Sequence, residues 1–252
     1  RSTTASGDYS AAMGYQTTAS ARSSTAMGES TEASGSRSTA MGRYTTASAD
    51  YSTAMGRSTT ASGDYSTAMG YGTTASGDYA TAMGYITIAS DFGSLVIGQF
   101  NSSGSSATSA DSFSTSAPAF VVGNGTDSSN KSDAFKVMFN GDTTVSNDLT
   151  VSGDVNVNSD ARLKSNIVSL GSTLSKLLLI DGKSYVMNRN GKQKIGVLAQ
   201  EIQEVFPELV SEDDNDILAV NYQGLVPVLI NAIKEQNEKI TRLEVLVEKL
   251  IK

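Results

Sequence analysis

With no Cys and no His among its 252 residues, this chain can do chemistry only through Ser, Thr, Lys, Asp, Glu, Tyr or backbone groups. A disulfide framework, a thiolate nucleophile and Cys-type zinc or iron–sulfur sites are excluded. A Ser-His-Asp triad, a His-Glu-x-x-His zinc helix and histidine acid/base work are excluded as well. Among the acids, Glu201, Glu204 and Glu208 recur along "GKQKIGVLAQEIQEVFPELV" (191–210), where a solvated helix face explains them more simply than a general acid and base. "SEDDNDI" (211–217) is an acidic turn. Calcium there is conceivable, but an exposed loop is the simpler reading. No metal and no cofactor is expected. In "SDARLK" (159–164) a Ser precedes a Lys by five positions. On an α-helix that offset sets the side chains about 140° apart. On spacing alone, Ser159 is a cap of a strand or helix and Lys164 a surface charge.

The elements that would position such groups follow from composition and period. Apolar residues are 38% of the chain and aromatics 7%, which is thin for one large core, so part of the chain should be fibrous or repetitive. The net charge is −7, with 5 basic and 7 acidic residues in 1–98, 2 and 6 in 99–158, and 12 and 13 in 159–252. No segment is basic enough for a nucleic-acid footprint. No run of 18 apolar residues suggests membrane insertion. No signal peptide is visible and Arg1 falls inside the repeat, so a fragment of a longer chain is expected.

Gly14, Gly28, Gly42, Gly56, Gly70, Gly84 and Gly98 recur every 14 residues. Met13, Met27, Met41, Met55, Met69 and Met83 precede them, with Ile97 in the last copy. Seven copies of roughly "xxTTASGDYSTAMG" fill residues 1–98 without an insertion. So strict a period means stacked coils. Thr-Thr pairs and recurring Gly oppose helix. Two short strands per coil, near "TTAS" and "YSTAMG", fit better. In the fourth copy Ser52, Ala54 and Gly56 are the small alternate positions and Thr53 and Met55 the larger ones. Small residues permit close backbone approach inside a narrow β-roll, leaving the Met row to face a partner chain. Each coil has little apolar material to offset its ordering entropy, so oligomerisation is expected.

These residues resemble the head repeats of trimeric autotransporter adhesins, which implies a left-handed parallel β-roll in each of three chains. The usual Val/Ile of that repeat is mostly Ala/Met here. Tyr9, Tyr51, Tyr65 and Tyr79 share one phase of the repeat, and Tyr15, Tyr71 and Tyr85 another. Stacked turn residues are the simpler reading, and a surface for sugars or another cell-surface ligand the sharper one. Tyr, Arg and Asp interrupt the Thr rows, which speaks against ice binding. "SGDY" lacks the Gly/Asp density of a calcium-binding nonapeptide.

Residues 101–117 are Ser-rich and read as a loop or loosely packed connector. "AFVVGNG" (119–125) and "DAFKVMFNGD" (133–142) are strand-like, and "TTVSNDLTVSGDVNVN" (143–158) alternates Val/Leu with polar residues. These short β-elements are expected to wind about a three-fold axis.

Composition changes at Ser159. "SDARLKSNI" (159–167), "IDGKSYVMN" (180–188), "GKQKIGVLAQEIQEVFPELV" and "ILAVNYQGLVPVLINAIKEQNEKITRLE" (217–244) together closely resemble the intramolecular chaperone domain of endosialidases and phage tail fibres. The same domain occurs in self-cleaving membrane-bound transcription factors. The usual aromatic after Tyr185 is replaced here by Val186-Met187. The resemblance covers 159–252. It implies self-cleavage just before the Ser, at Asn158–Ser159, by a Ser–Lys dyad with Ser159 as nucleophile and Lys164 as base. Asp160 would hold the turn, and Arg162 would steady an oxyanion or a neighbouring carboxylate. Given the five-residue offset, the dyad needs a non-helical turn or a Lys164 from a neighbouring chain.

The last segment, about 225–252, carries heptads. Val226, Ile233, Ile240 and Val247 occupy a positions, and Leu229, Gln236, Leu243 and Leu250 occupy d. Alone these suit a dimer or a trimer. The three-fold resemblance upstream favours a trimer, with Gln236 setting register.

The expected fold is thus a mainly β fibrous part (1–98 a trimeric 14-residue-repeat parallel roll, 99–158 a connector and β stalk). An α+β chaperone domain (159–252) follows and ends in a trimeric coiled coil. The expected function is the distal part of a homotrimeric fibre or adhesin on a virion or cell surface. Its chaperone sets register and then releases itself, and its partners are its own copies and a cell-surface glycan or protein. The alternative is a structural adhesin with a non-cleaving trimerisation foot. A membrane-tethered self-cleaving regulator fits least.

Overall fold

A computed structural model describes residues 2–213 and 216–251. The chain divides into two units, Arg1–Val155 and Asn156–Lys252.

In the first unit each coil makes one two-residue strand and one five-residue strand, as in Thr18–Ala19 and Thr25–Glu29. Successive coils pair in parallel at a 14-residue register, Thr67 opposite Thr81 and Met69 opposite Met83. The stacked coils expected from the period form, with the parallel pairing that the resemblance implied. Its short strands stack into one sheet of seven. Its long strands form a sheet of ten, completed by Pro118–Asn124, Asp133–Met138 and Thr143–Val145. Pro118–Asn124 joins in parallel and the last two strands antiparallel.

The core of the roll consists of small side chains. Two Ala rows, Ala19 to Ala89 and Ala26 to Ala82, are fully buried, and the row ends on the larger Val96 and Val121. A Thr column (Thr17, Thr31, Thr45, Thr59, Thr73, Thr87) and Ser24, Ser38, Ser52 and Ser66 fill the rest. From Met27 to Met83 the Met row is half-buried on the outer face, as alternation requires, and Met13 in the first coil is exposed.

Coil closure uses left-handed backbone at two positions per turn. Tyr51, Tyr65 and Tyr79 hold φ of 56° to 58°, and even β-branched Ile86 holds 52°. Each donates its N–H to the coil before, as Tyr65 does to Asp50 O at 2.9 Å and Ile86 to Tyr71 O at 2.7 Å. Such φ values are costly for residues with a Cβ and persist where surrounding bonds over-determine them.

The Ser-rich stretch 101–117 forms no helix or strand and is mostly exposed, but a few of its residues close the roll, whose exposed end would leave backbone groups unpaired. Buried Asn101 supplies a substitute coil. Its Oδ1 accepts from Ile88 N and its Nδ2 donates to Ile88 O, both at 2.8 Å. The Asp91 carboxylate accepts from the N–H groups of Thr108 and Ser109 at 2.5 and 2.8 Å, and Ser90 N donates to Gly104 O. An Asn101→Ala chain should lose about 2 kcal/mol or more, since buried amide groups of Ile88 lose their partners. Denaturant unfolding and faster hydrogen exchange at the Ile88 amide would register it, and an unchanged midpoint would argue against the cap.

Beyond Val145 the alternating pattern does not form strand. Leu149, Val151, Val155 and Val157 are all exposed. Period two specifies a face but not a partner, and a single chain offers none here.

The second unit is small. It holds a 3₁₀ turn at Ala161–Leu163 and the helices α1 (Leu174–Leu177), α2 (Ala199–Val205) and α3 (Leu225–Ile251). Two hairpins pair Lys183–Val186 with Gln193–Gly196, and Val210–Glu212 with Leu218–Val220. Ile202, Phe206 and Val228 are buried, with Leu177, Ile180, Val197 and Leu225 among the side chains packed on them. Val197, Leu198, Ile202, Val205 and Phe206 have the spacing of an apolar helix face, but Val197 and Leu198 precede the helix. Leu198 is its extended N-cap residue, because Ile195-Gly196 belongs to a hairpin. Phe206 and Pro207 end it.

Candidate functional site

A 3₁₀ turn brings the predicted dyad together. Asp160 is its N-cap, with Oδ1 accepting from Arg162 N at 2.9 Å. Leu163 N donates to Asp160 O and Lys164 N to Ala161 O, each at 3.1 Å. Lys164 then leaves the turn extended. Its side chain folds back, and Nζ donates to Ser159 Oγ at 2.7 Å. Within one chain, then, a 3₁₀ turn is enough to bring a Lys at an offset of five onto the Ser. Asn158 and Ser159 lie in irregular backbone, beside a shallow depression lined by Asn158, Asp160, Arg162 and Leu163.

Arg162 addresses a carboxylate. Its guanidinium forks onto Asp160, Nη2–Oδ2 at 2.7 Å and Nε–Oδ1 at 3.1 Å. The hydrogen bonds from Arg162 hold the Asp160 carboxyl below the usual 3.8, and Asp160 raises Arg162 in turn. A depressed carboxyl contributes its capping above its unfolded value and loses it as pH falls through the folded one. The turn should therefore persist to below about pH 3.8. Carbon-detected titration of Asp160 should give a midpoint under that value, returning towards it in Arg162→Ala. A midpoint indifferent to that substitution would remove the pairing as its cause.

Ser159, Lys164 and Arg162 are exposed in the single chain, as is every residue from 147 to 172. The heptad positions are exposed too. Val226, Leu229, Ile233, Ile240, Leu243, Val247 and Leu250 range from 43% to 85%, and Gln236 is likewise open. On another face of α3, Val228 and Ala232 are buried against the unit's own core.

The other candidates have structural partners. Glu201 pairs with Lys183 at 3.2 Å and accepts from Asp181 N, while Glu204 and Glu208 are exposed. Asp214 and Asn215 of the acidic turn lie outside the described residues. Among the described residues no group of three or more metal-ligating side chains converges, and no helix is long and apolar enough to cross a membrane. On the roll, Tyr51, Tyr65 and Tyr79 stack at 4.7 and 4.8 Å and within 7° of parallel. The Arg37 guanidinium covers one end of the stack and Phe92 the other. Burial within the stack, and then its neighbouring tyrosines, push the Tyr65 hydroxyl up. With ring faces occupied, the ladder offers edges and hydroxyls but no open stacking platform.

Residues 159–211 match the chaperone of endosialidase. That family is classed among the peptidases, and its match begins at Ser159, the residue held by Lys164. On the roll, residues 5–31, 33–59 and 61–85 match the YadA head domain repeat. Among individual proteins, the long tail fiber protein Gp37 of Enterobacteria phage K3 is 30% identical over 92 residues, which is 33% of this chain and 7% of that protein. Gp37 of Escherichia phage AR1 is 36% identical over 84 residues, 29% of this chain and 8% of that protein. The chain thus spans less than a tenth of the length of these curated relatives.

One contact of the chaperone-type unit was not legible in sequence. Glu235 of α3 accepts from Ser172 Oγ at 2.6 Å, from Thr173 N, and from Leu174 N at 3.1 Å. The partners are some 60 residues apart and Glu235 lies outside the a/d stripe, so no local signal marks it.

Proposed function

We propose that this chain is a distal part of a homotrimeric fibre or adhesin of a virion tail or cell surface, with residues 1–98 as head or shaft, 99–158 as connector and stalk, and 159–252 as an intramolecular chaperone that cuts itself free. The Ser159–Lys164 contact at 2.7 Å carries the reading of the chemistry. Ser159 Oγ gives its proton to a neutral Lys164 Nζ and bonds to the carbonyl carbon of Asn158. The C–N bond breaks, and Lys164 passes the proton to the Ser159 nitrogen, which becomes a free amine on the same residue. The chain is now joined by an ester, and water hydrolyses it to an Asn158 carboxylate and a free Ser159. A lysine acts as base once burial or a nearby cation lowers its pKa from about 10.4. Among the described residues none covers the pair, so the cover would come from a second copy, and cleavage would follow assembly.

The open heptad stripe of α3 supports assembly, with Ile/Val at a and Leu at d. Three repetitive chains slip register easily, and a coiled coil fixes it. Cutting afterwards makes assembly irreversible and the fibre kinetically stable. The likeness to Gp37 tail fibres supports a virion, and the head repeats a surface adhesin. A cell-surface glycan or protein is the receptor class that fits either. Mass spectrometry of fresh protein should show a fragment beginning at Ser159, and light scattering a mass of three chains. A single-chain mass would overturn the trimer. The exposure of Ser159 and Lys164 favours a second reading, a structural adhesin with a non-cleaving foot, which predicts only intact chains.

A further inference from the structure

We infer that Glu235 is a positioning residue for self-cleavage, latching the segment that carries Ser159 and Lys164 to the helix that assembles. The inference rests on the self-cleaving reading above. The dyad segment has little structure of its own. After Lys164 the chain runs exposed and irregular through residue 172, with Asn166 at φ 53° and Gly171 at φ 66°. At residues 171–174 it becomes fastened. Asn231 Nδ2 donates to Gly171 O at 3.2 Å, and the buried Thr173 donates Oγ1 to Val228 O at 2.8 Å. Glu235 then takes Ser172 Oγ and the amides of Thr173 and Leu174 in one carboxylate. Those two amides are orphan donors at the start of α1, which has no cap of its own from Thr173.

Val228, Asn231 and Glu235 are spaced i, i+3 and i+7, so they line one stripe of α3. The heptad positions Val226, Leu229, Ile233 and Gln236 line another. One helix therefore grips the dyad segment on one stripe and leaves the second open to another copy. Gathering three helices along the second stripe carries the gripped segments with them and sets where each dyad lies against its neighbour. Glu235 holds most of that grip: it accepts three of the five hydrogen bonds between 171–174 and α3. Its carboxyl is held below the ordinary value by Ser172 and then by Thr173, as a charged acceptor among donors should be.

The test is the first-order rate of appearance of the fragment beginning at Ser159, with oligomer mass measured on the same samples. Glu235→Ala should slow cleavage at least tenfold while the protein still assembles. Glu235→Gln, which keeps one acceptor oxygen, should recover part of the rate, and Glu235→Ala should stay slow even where its melting temperature matches the wild type; a rate that follows melting temperature alone overturns the inference. Cleavage at the wild-type rate in assembled Glu235→Ala overturns the inference alone. If Glu235→Ala does not assemble, Thr173→Val removes the neighbouring bond to Val228 with little change of shape. It should slow cleavage in assembled protein, and an unchanged rate there overturns the inference. Wild-type protein that assembles and never cleaves overturns the self-cleaving reading and this inference with it.

Discussion

A Ser159→Ala chain is expected to run at full length on a denaturing gel under conditions where the unmodified chain separates into pieces of 158 and 94 residues. The substitution removes the proposed nucleophile, the hydroxyl oxygen that lies 2.7 Å from the Lys164 amine. Without it no ester forms, and loss of a nucleophile costs on the order of a millionfold where it has been measured in a serine peptidase. Lys164→Arg is the more searching companion. It keeps the charge and the reach but cannot take up a proton, because guanidinium stays protonated in proteins. General-base help is worth about 100- to 10,000-fold, so cleavage should slow by at least about 100-fold. Should Ser159→Ala still split at the same bond, the nucleophile is another group. Should Lys164→Arg cut at the unmodified rate, Lys164 serves only to hold the turn.

Gly42→Ala should unfold the roll far more readily than its single methyl suggests. Gly42 holds φ +123°, which a residue with a Cβ rarely adopts. That Cβ would stand 1.9 Å from Gly56 O, and the atom it meets is backbone of the next coil, not a side chain able to swing aside. Relief requires the coils to part, which breaks a parallel ladder paired from Thr39–Thr53 to Arg43–Arg57. The loss should reach about 4 kcal/mol, in the range reserved for strain and overpacking together. For a unit of this size that is a fall in melting temperature of roughly 10 °C. Gly182→Ala, whose Cβ would meet nothing within 4 Å and whose φ is unexceptional, is the control. A far-ultraviolet melt in which the two substitutions behave alike would refute the close-approach explanation.

The roll could be read without coordinates because its information is one-dimensional. A strict period of 14 stacks like on like, so Gly42 must meet Gly56 and Met41 must meet Met55. Small residues at alternate positions then place Ala54 inside and Met55 outside. The composition break at Ser159, the limits on chemistry set by absent Cys and His, and the heptads after Leu225 are equally local patterns. Other features depend on what lies across space. Tyr65 accepts a left-handed turn because Asp50 O waits one coil away. Asn101 caps Ile88 because the stack happens to end there. Whether Ser159 meets Lys164 at an offset of five turned on a 3₁₀ turn that Asp160 closes, a choice among local conformers that spacing leaves open. The grip of Glu235 on Ser172, Thr173 and Leu174 depends on how α1 docks on α3. Periodicity constrains which residues share a face of one element. Which distant group completes a hydrogen bond is settled only when those faces pack, because a buried donor takes whichever acceptor packing brings to it.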